Sequence, residues 1–453
     1  MASVLDSALF RNMFGTEAMR EVFSDEALVR KYLVVEAALA RAEAAVGVIP
    51  QAAAQAIGAA AEAMTVDHDR LRAETEIVGY PILPIVRQLA EASGEAGGYV
   101  HWGATTQDIM DTGTVLQVRE ALDLIERELV ALQGNLARLA QAHRDTPMAG
   151  RTHLQQALPV TFGYKAAVWL SGVDRHLERL AQLRPRVLVA SFGGAAGTLA
   201  SLGEQGLAVR KALCRELGLG EVPITWHVAR DGIAEAVGFL GLVTGTLAKI
   251  ATDVMLMMST EFGEVAEPFV QGRGASSTMP QKRNPISCEL ILACAKTVRQ
   301  HAGLILDGMV QDFERATGPW HLEWVAIPES FVLAAGACRQ ANFMLAGLEV
   351  DAPRMRRNLD LTAGLIVAEA VMMAAAPTLG RQKAHDVVYG ACRQALESGR
   401  PLADVLEGMP EIAQALGGGE AIRRCCDPAN YLGSAAKMVD LVLQERQAAP
   451  RAA

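Results

Sequence analysis

The sequence predicts an all-α protein, with three helical domains built around a central bundle of long helices. Three observations carry this prediction. The chain is 51% hydrophobic but only 5% aromatic, and its wealth of Ala, Leu, Glu, Arg and Val favours helix over sheet. Apolar residues recur at helical spacing over long stretches. Between those stretches, glycines and prolines gather in short polar loops. At 453 residues the chain can hold about two or three domains, or one large helical assembly.

Residues 15–48 read as one helix, with Met19, Val22, Phe23, Leu28, Tyr32, Val35 and Leu39 near helical spacing. A second helix follows Pro50. A third starts near Thr75, and Gly79-Tyr80-Pro81 and Pro84 argue for a break or kink within it. Gly94 to Gly98 form a turn, and the first domain, 1–105, ends just beyond it. From Asp108 to about His143 runs one long helix, closed by Asp145-Thr146-Pro147. After a loop over 150–159, another long helix covers about Thr161 to Leu183. The glycine-rich Phe192 to Thr198 lacks Gly-x-Gly-x-x-Gly and a preceding strand, so a turn packed near the site suits it better than a nucleotide loop.

Arg230 and Asp231 open the clearest helix. Ile233, Val237, Leu240, Thr244, Leu247, Ala251, Val254, Met258 and Glu261 step by four and three, the seam of a close-packed bundle. Val243, Ile250 and Met257 are apolar too, so this helix is covered on more than one face. Further helices run over 286–313 and from about Glu329 to Leu348. Asp351-Ala352-Pro353 closes the central domain, 106–352, and 353–453 reads as a small helical domain.

A net charge of −9 argues against nucleic acid as the main partner, while a small anion needs only local positive charge. The seven cysteines fit no zinc spacing and suggest reduced thiols in a cytoplasm. The N-terminus lacks a basic region followed by an apolar core, which argues against a signal peptide. No apolar run reaches spanning length without a charge, so no membrane partner is expected. No metal constellation or cofactor loop stands out.

Three polar stretches hold the chemistry-bearing residues. In Tyr99 to Asp108, a threonine at 105 or 106 could simply cap the helix that follows, with Asp108 in its first turn. In Gly150 to Pro159, a lone His153 is more often a surface residue than a catalyst. In Gly272 to Pro285, two adjacent hydroxyls precede Lys282, Asn284 and a helix start, and a helix N-terminus beside a lysine suits a carboxylate or phosphate.

The strings as wholes are more specific. Ser276-Ser277-Thr278-Met279-Pro280-Gln281-Lys282-Arg283-Asn284-Pro285 resembles the signature of the fumarase/aspartase superfamily. That superfamily includes argininosuccinate and adenylosuccinate lyases and bacterial 3-carboxy-cis,cis-muconate cycloisomerase. Ala275 stands where the family usually has glycine. His101-Trp102-Gly103-Ala104-Thr105-Thr106-Gln107-Asp108, continued to Asp111-Thr112, resembles its first loop, with Gln107 replacing a frequent serine. Arg151-Thr152-His153-Leu154-Gln155-Gln156-Ala157-Leu158-Pro159 resembles the second.

The resemblance implies roles. Ser276 would be the base that removes a proton next to a carboxylate. Lys282, Asn284 and the helix N-terminus would stabilise the resulting aci-carboxylate, the term that dominates such barriers. His153 would act as general acid or relay, paired with Glu289 seven positions after the lysine, in the logic of a triad. Thr105, Thr106, Gln107, Thr152, Gln155, Ser277, Met279, Arg230 and Arg315 would contact a dicarboxylate or tricarboxylate. A homotetramer is implied, with each site built from three chains. No metal or organic cofactor is called for.

The wording of the first loop and of Met355 to Asp360 most resembles the cycloisomerase branch. That branch typically lacks the second-loop histidine and the relay glutamate, and this chain has both. The expectation is therefore a lyase that splits a C–N or similar C–X bond of a substituted succinate by anti β-elimination and releases fumarate. The alternatives are the cycloisomerase itself, or a catalytically idle helical scaffold.

Overall fold

The computed structural model describes residues 3–448; Met1 and Ala2, part of the N-terminal stretch considered above, lie outside it. The protein is all-α. Among the described residues the extended structure is two short antiparallel pairs, Pro147–Thr152 with Gln155–Thr161 and Val265–Ala266 with Glu349–Val350. Contacts divide the chain into two units of interleaved segments, one of 1–130, 176–248 and 290–340, the other of 131–175, 249–289 and 341–453.

The long helices are Thr106–Ala142, Phe162–Val187, Asp231–Met258, Ile286–Gly308 and Pro319–Ala346. At 37 residues the first is about 55 Å long at 1.5 Å per residue. The helix expected over 15–48 is in fact two, Glu17–Val22 and Asp25–Val46, because the Ser24 side chain caps the second by accepting from the Ala27 N–H. Likewise Asp67 caps a helix that begins at His68, ahead of the start expected near Thr75, and the break at Gly79 falls where the prolines suggested. The bundle seam ends at Met258, short of Glu261. The expected 286–313 helix stops at Gly308, and the following one begins at Pro319 rather than near Glu329.

In the first unit, the Asp25–Val46 helix packs with Gln51–Ala63 and Gly206–Leu217 around Tyr32, Leu39, Ile57, Leu89, Leu116 and Leu213. Gly113 allows the Thr106–Ala142 helix to approach closely, since a Cβ there would sit 2.9 Å from the Tyr32 ring. In the second unit, Val371, Ala384, Val388, Leu402, Leu406 and Ile422 form the core of the C-terminal helices. By length and composition Asp231–Met258 could cross a membrane, although Glu235, Lys249 and Asp253 interrupt it, and 56% of its most apolar window is buried inside the protein. That is the profile of a core helix.

Candidate active site

The first loop is built around one buried carboxylate. Asp108, 1% exposed, lies in the opening turn of the Thr106–Ala142 helix and accepts four hydrogen bonds. Its Oδ1 takes the Gly193 N–H at 2.8 Å and meets His227 Nε2 at 2.6 Å; its Oδ2 takes the Gly194 N–H at 2.9 Å and the Thr105 N–H at 3.0 Å. The glycine-rich turn therefore does pack against this loop, through an aspartate 85 positions away. Thr105 and Thr106 are held half-buried at the helix start.

Behind them is a second buried network. Arg230, 3% exposed, gives Nε and Nη2 to Glu323 at 2.7 and 2.5 Å, and Nη1 and Nη2 to Asp111 at 2.8 and 2.9 Å. Its guanidinium lies 4.7 Å from the Trp226 ring centroid. Trp320 Nε1 also donates to Asp111, at 3.2 Å. With its donors committed to protein carboxylates, Arg230 ties elements together within this chain and offers no open edge to a substrate. Burial raises the Glu323 carboxyl above its usual range, and the Asp111 charge adds to this, against the pull of Arg230. Gln107 and Arg315, both expected to touch substrate, meet each other here: Arg315 Nη1 donates to Gln107 Oε1 at 2.7 Å.

His101 also belongs to this loop, with Nδ1 2.7 Å from Glu36 Oε1. Burial alone would lower the imidazole, but the Glu36 charge and hydrogen bond, with Asp108 nearby, raise it. Glu43, fully buried one step deeper, has no partner for either carboxylate oxygen among the described residues. Burial, then the Glu36 charge, push its pKa up to about 9.

The second loop is a β-hairpin, where the sequence suggested an irregular loop. Thr152 pairs with Gln155, which leaves His153 and Leu154 as the two-residue turn. Both have positive φ, 52° and 62°, as a type I′ turn requires, although neither is the Gly or Asn that such turns favour. That left-handed backbone costs energy, and strain of this kind gathers at functional sites. The hairpin is braced at its base: Arg151 forms a bidentate pair with the fully buried Glu264 at 2.9 and 2.6 Å, and Asn358 Nδ2 donates to the same carboxylate at 2.8 Å. Thr152, His153 and Gln155 are exposed at its tip.

The signature stretch is a loop, as expected. Its ends are pinned by the Asn284 N–H donating to Gly274 C=O at 3.0 Å and by a bridge between Ala275 and Arg283. Ala275 has no positive φ, so replacing the usual glycine adds no strain there. Ser276 Oγ accepts the backbone N–H groups of Met279 at 3.1 Å and Thr278 at 3.3 Å. Two amides aimed at one hydroxyl oxygen favour its ionised form. Lys282, Ser277 and Met279 are exposed, and Asn284 is half-buried. Lys282 has no ion-pair partner among the described residues.

One expectation for this loop needs correcting. The N-terminus of the Ile286–Gly308 helix is not open to a substrate anion, because Glu267, 4% exposed, already accepts the Ser287 and Cys288 N–H groups at 3.1 and 3.0 Å. Of the loop's three cations, Arg273 donates to Ser287 Oγ and Arg283 pairs with Glu349, while Lys282 is exposed. Glu289 is exposed in the first helical turn, and among the described residues no hydrogen bond or ion pair joins it to His153.

The residues that sequence reasoning missed are the buried ones: Asp108 as a clamp, His227, Asp111, Glu323, Glu264 and Glu267. Glu323 gave no signal, because the helix that holds it begins at Pro319, ahead of the start expected near Glu329.

The chain is similar over nearly its whole length to several known proteins. A lyase family model matches residues 13–299, and a model of the adenylosuccinate lyase C-terminus matches 364–442. The chain is 50% identical to trans-aconitate decarboxylase 1 of Mycosarcoma maydis, over 97% of this chain and 89% of that one. It is 48% identical to the 3-carboxy-cis,cis-muconate cycloisomerase of Pseudomonas aeruginosa, over 99% and 98%. It is 40% identical to the N-acetyl-S-(2-succino)cysteine lyase of Dickeya dadantii, over 98% of both. Among solved structures, a fumarate lyase from Mesorhizobium sp. BNC1 superposes with a TM-score of 0.91 at 59% identity, over 95% of this chain and 98% of that one.

Proposed function

The chain belongs to the fumarase/aspartase superfamily and is a lyase or cycloisomerase of that family, and from that premise we propose that it cleaves a C–X bond of a substituted succinate and releases fumarate. The observation that carries this reading is His153, displayed at the tip of a braced hairpin, together with an exposed Glu289. A leaving group that departs with an electron pair needs a proton, and an imidazole can supply it near neutral pH. Internal lactonisation has no such need. The similarity to a fumarate lyase and to a lyase of N-acetyl-S-(2-succino)cysteine supports the same reading.

In this mechanism Ser276, its alkoxide favoured by the Thr278 and Met279 amides, removes the proton next to a carboxylate. Lys282 and Asn284 stabilise the aci-carboxylate as its charge develops. Electrons then move to form the double bond, the C–X bond breaks on the opposite face, and His153 protonates the departing group. Thr105, Thr106, Thr152 and Gln155 are the proposed carboxylate contacts, with Ser277 and Met279 beside the base.

Among the described residues no bond joins His153 to Glu289 within one chain, and the proposal has a second copy supply one of them, in a homotetramer with sites shared by three subunits. A monomeric mass in light scattering at assay concentration excludes it. We extend the proposal to a cytoplasmic location, for which the free state of all seven cysteines is the supporting observation.

The test is the reverse reaction. Concentrated fumarate is incubated with a pool of amines and thiols, ammonia included, and adducts are sought by mass spectrometry. An adduct that disappears with His153→Ala or Ser276→Ala identifies both the lyase and its leaving group. The absence of any adduct refutes the lyase reading. The second reading, favoured by the 48% identity noted above, is then tested by following ultraviolet loss of 3-carboxy-cis,cis-muconate. An activity indifferent to Ser276→Ala removes the assigned base, and no activity on any of these substrates leaves the idle scaffold.

A further inference from the structure

The hairpin that carries His153 changes register between Ala149 and Arg151. The strands pinch there, since a Cβ on Gly150 would stand 2.7 Å from the Leu158 carbonyl oxygen. Below the pinch, Ala149 packs with Leu359, Ile366 and Val367. Beyond it, every residue from Thr152 to Gln155 is exposed. The last cross-strand pair that keeps some shelter is Arg151 with Gln156.

Both members of that pair lead to one residue. Cross-strand partners share a face, and from it Arg151 grips the buried Glu264 while Gln156 Nε2 donates to the Asn358 carbonyl at 2.8 Å. Asn358, 2% exposed, lies in the last turn of the Ala352–Leu359 helix. Its Nδ2 donates to Glu264 Oε1 at 2.8 Å and to the Phe262 carbonyl at 2.9 Å. Turning that amide over would point its oxygen at two acceptors, so its orientation is fixed. Arg151, Glu264, Asn358 and Gln156 thus close a ring. In it one residue of the C-terminal segment holds the first strand through its side chain and the second through its backbone. Arg354, a turn earlier on the same helix, bonds only to 261–262: Nε to the Phe262 carbonyl and Nη2 to the Glu261 carbonyl, both at 2.9 Å. It supports the floor of the ring and makes no bond to the hairpin.

We propose that Asn358 is a positioning residue for the hairpin tip, His153 above all: it clasps both strands at their last sheltered pair and so fixes where the imidazole stands. The effect on turnover rests on the proposed role of His153 as the acid, whereas the effect on the hairpin does not. With the clasp open, the tip moves about the Gly150 pinch and the imidazole is less often in place to deliver its proton.

The experiment compares Asn358→Leu, which keeps the volume and removes both donors, with Arg354→Met, which cuts the same helix's hold on 261–262. Hydrogen exchange, read by mass spectrometry, follows the peptide spanning 151–157, and urea unfolding follows overall stability. Asn358→Leu is expected to speed exchange in that peptide about tenfold, the worth of one hydrogen bond. Arg354→Met is expected to lower stability and leave the peptide as in the wild type. Unchanged exchange in Asn358→Leu, or equal acceleration by both variants, overturns the proposal. On the adduct identified in the reverse reaction, Asn358→Leu should lower kcat/KM on the order of tenfold and remove the pH dependence that His153→Ala removes. That loss should shrink when His153 is already alanine, and full additivity of the two substitutions counts against the clasp. If Asn358→Leu fails to fold, Gln156→Met, which cuts the other half of the ring, is measured in the same way. A tip that loosens as expected in a protein indifferent to His153→Ala overturns the lyase reading and leaves the clasp standing.

Discussion

Replacing Asp108 by Asn keeps the shape of the side chain and removes one of its two acceptors. In the native protein each carboxylate oxygen serves two donors: Gly193 N–H and His227 Nε2 on Oδ1, Gly194 N–H and Thr105 N–H on Oδ2. If the new NH2 occupies the Oδ2 position, it confronts two backbone donors that cannot rearrange. If it occupies the Oδ1 position, it opposes Gly193 N–H and forces His227 to move its proton to Nδ1, a buried atom with no partner among the described residues. The first arrangement loses two bonds; the second loses the Gly193 bond, reverses the His227 one and leaves a buried Nδ1–H unpaired, and hydrogen bonds to a charged group contribute roughly 1.5–3 kcal/mol each. The amide is cheaper to bury than the carboxylate, so a net loss of about 2–4 kcal/mol is expected. Because the same carboxylate holds Thr105 against the glycine turn, kcat/KM should also fall, on the order of a hundredfold for a displacement near 1 Å. The assays are urea unfolding and steady-state kinetics on the substrate found in the reverse reaction. A variant within about 0.5 kcal/mol of wild type and with unchanged KM would falsify the claim that Asp108 is the clamp.

Two further predictions concern other parts of the chain. Glu43 is neutral in the fold up to about pH 9 but ionises near its usual value when unfolded, so it favours folding at low pH and loses that contribution as pH rises from about 4.5 towards 9. At pH 7 this amounts to about 3 kcal/mol relative to an unshifted carboxyl. Glu43→Gln should therefore gain on wild type as pH increases, and urea midpoints that shift in parallel between pH 5.5 and 8 would show that the group is not buried neutral. In the signature loop, Gly274 has φ +68° and a Cβ there would lie 2.6 Å from the Asn284 carbonyl oxygen. Gly274→Ala should displace Asn284 and cost roughly a hundredfold in kcat/KM with little change in melting temperature, while Ala275→Gly should be near neutral. Equal effects of the two substitutions would contradict this account of the loop.

How much of this could be read from the sequence follows from how far each feature reaches along the chain. Helical periodicity is local, so the long helices were legible, and so were the breaks made by Gly79 and the prolines. Ser24 was missed because one capping hydroxyl within an otherwise continuous apolar pattern leaves that pattern almost intact. The hairpin under His153 was missed because its turn uses His and Leu in a conformation usually signalled by Gly or Asn. The groups proposed for the chemistry, Glu289 apart, lie in three contiguous strings and were assigned by resemblance. The groups that hold them lie far apart: Asp108 with Gly193, Arg230 with Glu323, Arg151 with Glu264. No spacing rule connects such positions. Asp108 looked like a helix-dipole residue because that is what an aspartate in a first turn usually is.

Buried and exposed charges in this protein do different work. Asp108, Asp111, Arg230, Glu264, Glu267 and Glu323 are each at most 4% exposed, and each is matched to a partner within its own unit. Removing one partner of such a pair strands the other, which typically costs about 3–5 kcal/mol, so these groups fix loop positions and are unsuited to changing partners during a reaction. The groups assigned to the chemistry show the reverse. His153, Glu289 and Lys282 are exposed, and among the described residues none makes an ion pair. An exposed imidazole and an exposed carboxylate gain little from one another in water; their proposed relay becomes effective only when desolvated. The surface that would desolvate them belongs, in the proposed tetramer, to another copy of the chain. Catalysis and assembly are then one property: dilution to monomer should abolish the reaction and leave the buried clamps, and the fold they hold, in place.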